Sequence, residues 1–217
     1  MTENFTEGIA FIFEGETEKI FYINLLTHLA SVSTDTTFEK QLSDNDGEFY
    51  YVWKDLTKSI LIKTNNVGTI TQIANSGSWF ENKCCKNQLP WTVYLCYDTD
   101  SSSNNISKFY CGDWLRLRTT LEQNKATVVD LAAHADIEDI LLYDLEGICE
   151  FLAIDLVSRE SLRGRKGKAK LKTLFRQAGQ VYHEGERAKR LIEALDCEKI
   201  ISTAPIKLSE LKAHLQK

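Results

Sequence analysis

Proline, paired cysteines, long apolar runs and net positive charge are all scarce in this chain, and each shortage excludes something. Only two prolines occur in 217 residues. Pro90 precedes an apolar run, and Pro205 precedes a short helical stretch, a position where proline is a start signal. No apolar stretch approaches the roughly 20 residues needed to cross a bilayer. The opening MTENFTEG lacks the basic-then-apolar layout of a secretory leader, so a cytoplasmic setting is expected. Six cysteines are present without a CxxC pair, and Cys84-Cys85 is a bare neighbour pair. Several lie inside apolar segments, where a reduced thiol acts as a small hydrophobe, so neither structural zinc nor a disulfide framework is expected. A net charge of −5 excludes a uniformly basic coat for nucleic acid.

What is present suits an ordinary folded domain, with 43% hydrophobic and 26% charged residues. The charge is segregated. Eight Lys or Arg and one acid lie between Arg159 and Arg176, whereas seven acids and no base lie between Asp136 and Asp155. One cationic wall beside one anionic site is therefore compatible with the acidic average.

Ile9 to Phe13 reads as a buried strand and Glu16 to Leu29 as an amphipathic helix, with Ile20, Phe21, Leu25 and Leu29 at helical spacing. Ser33 to Glu48 is polar and reads as a connector; Glu48 to Asp55 is aromatic and strand-like. A helix of uncertain limits follows Asn66. Trp91 to Asp98 is the second buried strand, Lys108 to Gln123 a helix, Ala126 to Ala132 a third strand, and Ile137 to Ile154 a long helix. From Gly167 onward the pattern is helical and basic, with a helical hairpin expected around His183 to Gly185 and a last helix over Lys207 to Leu215. Alternating strands and helices predict an α/β fold, a mainly parallel, Rossmann-like sheet flanked by helices. The expected organisation is an α/β domain over residues 1–157 and a basic helical extension over 158–217, packed on the same core.

Ligand-binding residues of such sheets collect beyond the C-terminal strand ends. Glu14 ends the first strand and Glu18 follows one helical turn later, while Asp98 and Asp100 end the second, two residues apart, so that both can face one cation. Four carboxylates at one place repel unless a divalent cation neutralises them, which predicts Mg2+ or Mn2+. Singly, each acid has a plainer reading: Glu16 as a helix-dipole partner, and YDTDSSS as a turn.

Together, FIFEGETEKIFY and VYLCYDTDSSS resemble the Toprim fold shared by topoisomerases, bacterial primases and OLD-type nucleases, with its strand-terminal Glu-Gly and later Asp-x-Asp. The resemblance covers about Glu7 to Ile154 and is greatest to OLD-type nucleases and small stand-alone Toprim proteins of bacterial defence islands. It implies a metal-dependent nuclease of DNA or RNA holding two cations, with a role in phage defence. Glu14 and Glu18 would act as metal ligands or general base, Asp98 and Asp100 as metal ligands, and Glu138 and Asp139 in HADIEDILLYD as ligands of the second cation. It further implies a catalytic lysine, for which Lys166 and Lys168 are candidates. The chain has no Walker sequence, so any ATPase would be a separate partner.

RGRKGKAKLKTLFR adds Arg163, Arg165, Lys166, Lys168, Lys170 and Lys172, cations that can contact successive phosphates without reading sequence. A solvated cationic face is the plainer reading. Tyr182 and His183 read as a helix terminus, and His134 lies near the acidic motif. Two rivals to the nuclease are a haloacid-dehalogenase-type phosphatase, because YDTDSS is similar to its nucleophile motif, and a non-catalytic Toprim module that binds nucleic acid or protein.

Overall fold

The computed structural model describes residues 4–43, 47–68, 73–100, 112–162 and 166–216. It is an α/β fold with a mixed sheet of six strands and flanking helices. The strands are β1 (Glu7–Phe13), β2 (Thr37–Leu42), β3 (Phe49–Lys54), β4 (Ser59–Asn66), β5 (Trp91–Asp98) and β6 (Thr127–Ala133), in the order β2-β3-β4-β1-β5-β6. Strand β1 is central and runs parallel to both β4 and β5. The β2–β3 and β3–β4 pairs are antiparallel, so the sheet is mixed rather than mainly parallel as the sequence suggested.

The difference has a local cause. After β3, Asp55 Oδ1 accepts from the backbone N–H groups of Thr57 (2.7 Å) and Lys58 (3.0 Å), and Asp55 N–H donates to the Lys58 carbonyl. This tight Asx turn sends the chain straight back as β4. The polar stretch read as a connector forms β2, an edge strand with mostly exposed side chains. It is held by Phe38 stacked on Tyr51 at 5.1 Å and by Lys40 over the Phe49 ring at 3.8 Å.

Nine α-helices occur among the described residues: α1 (Glu16–Ser31), α2 (Ile73–Lys83), α3 (Gly112–Gln123), α4 (Ile137–Leu141), α5 (Leu145–Phe151), α6 (Gly167–Gln177), α7 (Lys189–Ala194), α8 (Cys197–Thr203) and α9 (Leu208–Leu215). The single helix expected over Ile137 to Ile154 is broken by a 3-10 turn at Leu142–Asp144. Asp144 makes the break: it caps α5 by accepting from Gly147 N–H, and it also accepts from Asp196 N–H at 2.8 Å and pairs with Lys199. No helix among the described residues is long and apolar enough to cross a membrane.

The chain forms two compact units. The first comprises Met1–Glu14, Leu25–Cys96 and Ser107–Asp130. Its core is the β1 run Ile9 to Phe13, fully buried, with Phe11 stacked on Tyr94 at 5.2 Å and Gly8 lying flat under the Trp91 ring. The second comprises Gly15–Asn24, Tyr97–Ile106 and Leu131–Lys217, with a core of Ile140, Leu141, Ile148, Leu171, Leu174, Ile200 and Leu208. Cys84, Cys96, Cys149 and Cys197 are buried and in no disulfide.

Candidate functional site

The second unit gathers nearly every charge singled out in the sequence. The segment after β5 is tied to the segment after β6: Thr99 N–H donates to the Ala133 carbonyl (3.0 Å), Asp100 N–H to the Ala135 carbonyl (2.9 Å), and Ala135 N–H to Thr99 Oγ1 (2.9 Å). These bonds hold Asp100 at φ 55° and Ala135 at φ 62°, a left-handed conformation that aspartate enters readily but alanine seldom does. Strands β5 and β6 thus end side by side, with Asp98, Asp100 and Asp136 on the chain that leaves them.

Asp136 accepts from Asp139 N–H at 3.2 Å as the N-cap of α4, and from the backbone N–H of Lys168 at 3.2 Å. Gly167 is required between these partners, because a Cβ there would stand 2.6 Å from Asp136 Oδ1 and closer still to the backbone of Glu138 and Asp139. The start of α6 therefore lies directly against the start of α4. Burial raises the Asp136 carboxyl above its ordinary value, opposed by the N–H group of Lys168.

Three lysines then fan out at alternate positions, each to a carboxylate on a different segment. Lys166 Nζ reaches Asp100 Oδ1 at 2.7 Å, Lys168 Nζ reaches Glu184 Oε2 at 2.7 Å, and Lys170 Nζ reaches Asp139 Oδ1 at 3.2 Å. The hydrogen bond to Asp100 raises the Lys166 ammonium above its ordinary value. Desolvation works against the Lys168 ammonium, but Glu184 holds it above the usual range. Glu138 is 1% exposed and accepts from Tyr182 Oη at 2.9 Å. Burial, reinforced by the charge of Asp136, pushes it up to about 6.

The remaining residues chosen from sequence are placed as follows. Glu18 lies 5% exposed in the first turn of α1, with Oε2 folded over Gly15, where a Cβ would stand 2.9 Å away. Thr17 Oγ1 accepts from Gly185 N–H at 2.9 Å, and Glu16 pairs with Lys19. Glu14 belongs to the first unit, where its N–H donates to the Cys96 carbonyl and its carbonyl accepts from Gly68 N–H. Lys172 is exposed on α6. Arg163 and Arg165 lie outside the described residues. Sequence reasoning missed Thr99 and Tyr182 as organisers of this cluster; only their position beside acidic segments hinted at it.

No family model and no curated protein matches the chain. Among solved structures, the chain is similar to a protein assigned as a 5′-methylthioadenosine/S-adenosylhomocysteine nucleosidase from Borrelia burgdorferi, solved with adenine bound (10% identity, 94% of this chain and 99% of that one, TM-score 0.30). It is also similar to a futalosine hydrolase mutant of Helicobacter pylori (8% identity, 92% and 99%, TM-score 0.26). At these scores neither protein's fold nor its activity carries over.

The nuclease expectation is corrected at this point. Three of the four described lysines on the expected phosphate track are bound to the protein's own carboxylates. Among the described residues, no group of three or more His, Cys, Asp or Glu could hold a metal ion.

Proposed function

We propose that the second unit binds a small phosphate-bearing ligand together with Mg2+ or Mn2+, at Asp98 to Asp100 beyond β5 and the residues that follow β6. The observation that carries this reading is the Lys166–Asp100 pair at 2.7 Å, with side chains 45% and 57% exposed. A carboxylate and an ammonium in contact at a strand terminus form a contact that can be exchanged. Asp100 would hold the cation and Lys166 the phosphate of such a ligand, in place of each other. An exposed ion pair contributes only about 0–1 kcal/mol, so giving it up costs little.

The donor set fits such a cation. Magnesium is usually held by one or two carboxylates, with ligand phosphates and water completing its shell, so a three-acid protein cage is not required. Asp98 and Asp100 supply the two carboxylates, and the cation would supply charge neutralisation for the phosphate oxygens. The protein's own part is to keep Lys166 in place. The Asp136 bracket on Lys168 N–H and the close seat of Gly167 do this, while Thr99 fixes the Asp100 loop. A small ligand is favoured over a polymer, because counterion-driven binding of nucleic acid needs several cations not already engaged within the protein, and Lys168 and Lys170 are engaged.

Thermal unfolding in Mg2+ or Mn2+, with inorganic phosphate, pyrophosphate, a nucleoside triphosphate or single-stranded DNA, tests the reading. At a hundredfold excess over Kd, a ligand stabilises by about 3 kcal/mol, several degrees for a chain of this size. The shift should require the metal and should weaken about tenfold in apparent affinity in Asp100→Asn and Lys166→Ala. No metal-dependent shift with any small phosphate, or equal shifts in wild type and both variants, would reject it.

A further inference from the structure

A recess in the second unit shares no residue with the Lys166–Asp100 contact. It encloses about 260 Å³, and its lining includes Arg159, Lys170, Asp139, Tyr143, Pro205 and Ile206. The Arg159 guanidinium lies 4.2 Å over the Tyr143 ring, a contact that holds it in place. Among the described residues it has no hydrogen-bonding or ion-pair partner, so its N–H donors are left for a ligand or for water. Lys170 Nζ meets Asp139 Oδ1 at 3.2 Å, which uses one of three donors on the ammonium. Asp139 offers a ligand almost nothing: its side chain is 8% exposed, Oδ1 is taken by Lys170, and Oδ2 is closed off from solvent.

We infer that this recess binds a small organic monocarboxylate, with its carboxylate on Arg159 and Lys170 and its hydrocarbon body on Tyr143, Pro205 and Ile206. Charge sets the head group. With His134 of the lining counted as neutral, Arg159 and Lys170 against Asp139 leave one positive charge, which one carboxylate balances. A dianionic phosphate would exceed it, with the Asp139 carboxylate directly behind Lys170. A guanidinium presents paired N–H donors that match the two oxygens of a carboxylate, and the ammonium adds a further bond without opening its pair with Asp139. Size and walls set the rest. At ~30 Å³ each, about nine water molecules would fill the recess, a space that suits a benzoate or a phenylacetate. Tyr143 and Ile206 are half-buried and Pro205 is exposed, so their apolar surface is within reach of a ligand, and covering it is favourable. The inference stands on this recess alone and not on the phosphate reading.

Calorimetric titration of the full chain with benzoate, phenylacetate and 4-methylpentanoate, free of divalent metal and phosphate, tests it. At least one of the three should bind saturably. Its neutral amide, which lacks the charge, and acetate, which lacks the body, should each bind roughly tenfold or more weakly. Arg159→Met keeps the stem and removes the fork, so it should weaken binding roughly tenfold or more. Its circular dichroism should match wild type, because the guanidinium has no ion-pair partner among the described residues to lose. Inorganic phosphate, titrated by itself, should bind more weakly than the best carboxylate. Absence of saturable binding by all three carboxylates overturns the inference. So does an affinity that the amide matches or that Arg159→Met leaves unchanged, and phosphate binding as tightly as the best carboxylate overturns the choice of head group. Because the carboxylate titrations contain neither metal nor phosphate, failure here is separate from failure of the metal–phosphate site.

Discussion

Glu138→Gln should flatten the pH dependence of stability. Glu138 is buried against Tyr182, and its carboxyl is pushed from the ordinary 4.5 up to about 6, first by burial and then by the charge of Asp136. The sign follows from proton linkage. The folded protein holds this proton more tightly than the unfolded chain, so its contribution is full below about pH 4.5 and is lost as pH rises through about 6. At 1.36 kcal/mol per pH unit, the loss totals about 2 kcal/mol, of which about 1 kcal/mol falls between pH 5 and pH 8. Glutamine keeps the shape and an oxygen for Tyr182 but cannot ionise. Urea unfolding at pH 5, 6, 7 and 8 would read the effect as wild type minus variant, so that acids common to both cancel. With m near 2 kcal/mol/M, the variant should gain about 0.5 M in midpoint relative to wild type across that range. A constant offset at one pH only reports the changed hydrogen bonding. Profiles that run parallel within about 0.3 kcal/mol would refute the account of Glu138 as a buried, charge-penalised acid.

Gly167→Ala should destabilise by about 3 kcal/mol or more, because the added methyl meets the backbone of Glu138 and Asp139, which cannot rotate away; unfolding of the purified variant within 1 kcal/mol of wild type would contradict the close seat of α6 on α4. Gly8→Ala should cost about 1–3 kcal/mol, since its Cβ would stand 2.6 Å from the Trp91 ring in the β1–β5 pair, and a blue or red shift in tryptophan emission would accompany it. Asp144→Ala removes the acceptor of the Gly147 and Asp196 N–H groups and the partner of Lys199 from a residue 3% exposed. A loss of about 3 kcal/mol is expected by chemical denaturation, and a change under 1 kcal/mol would show that the α4–α5 break does not depend on it.

Strands β1, β5 and the margin strand β6 were readable from sequence, whereas the margin strand β2 and the interior strand β4 were not. Ile9 to Phe13 and Trp91 to Asp98 are continuous apolar runs because β1 and β5 lie inside the sheet. Thr37 to Leu42 reads as loop because an edge strand presents polar side chains to water, and its pairing with β3 is a property of the partner as much as of itself. The helix over Ile137 to Ile154 was read as unbroken because periodicity registers apolar spacing, whereas the break comes from Asp144 binding groups about 50 residues away in α8 and its lead-in.

The same reasoning explains why the charged residues were located but their use was misjudged. A sequence displays the sign of each side chain and its neighbours along the chain; it does not display the partner 66 positions away, as Asp100 is for Lys166. Read alone, Lys166, Lys168 and Lys170 form a cationic stripe, and Asp100, Asp139 and Glu184 an anionic excess. Folded, each excess largely cancels the other, and what remains distinctive is the difference in how tightly each pair is enclosed. Lys170–Asp139 is nearly shielded, at 18% and 8% exposure, while Lys166–Asp100 faces solvent. Desolvation makes the first pair costly to separate and water makes the second cheap. On the proposed reading, a phosphate and a cation would be held at the exposed Lys166–Asp100 pair, while the shielded Lys170–Asp139 pair would stay closed and keep α6 on α4.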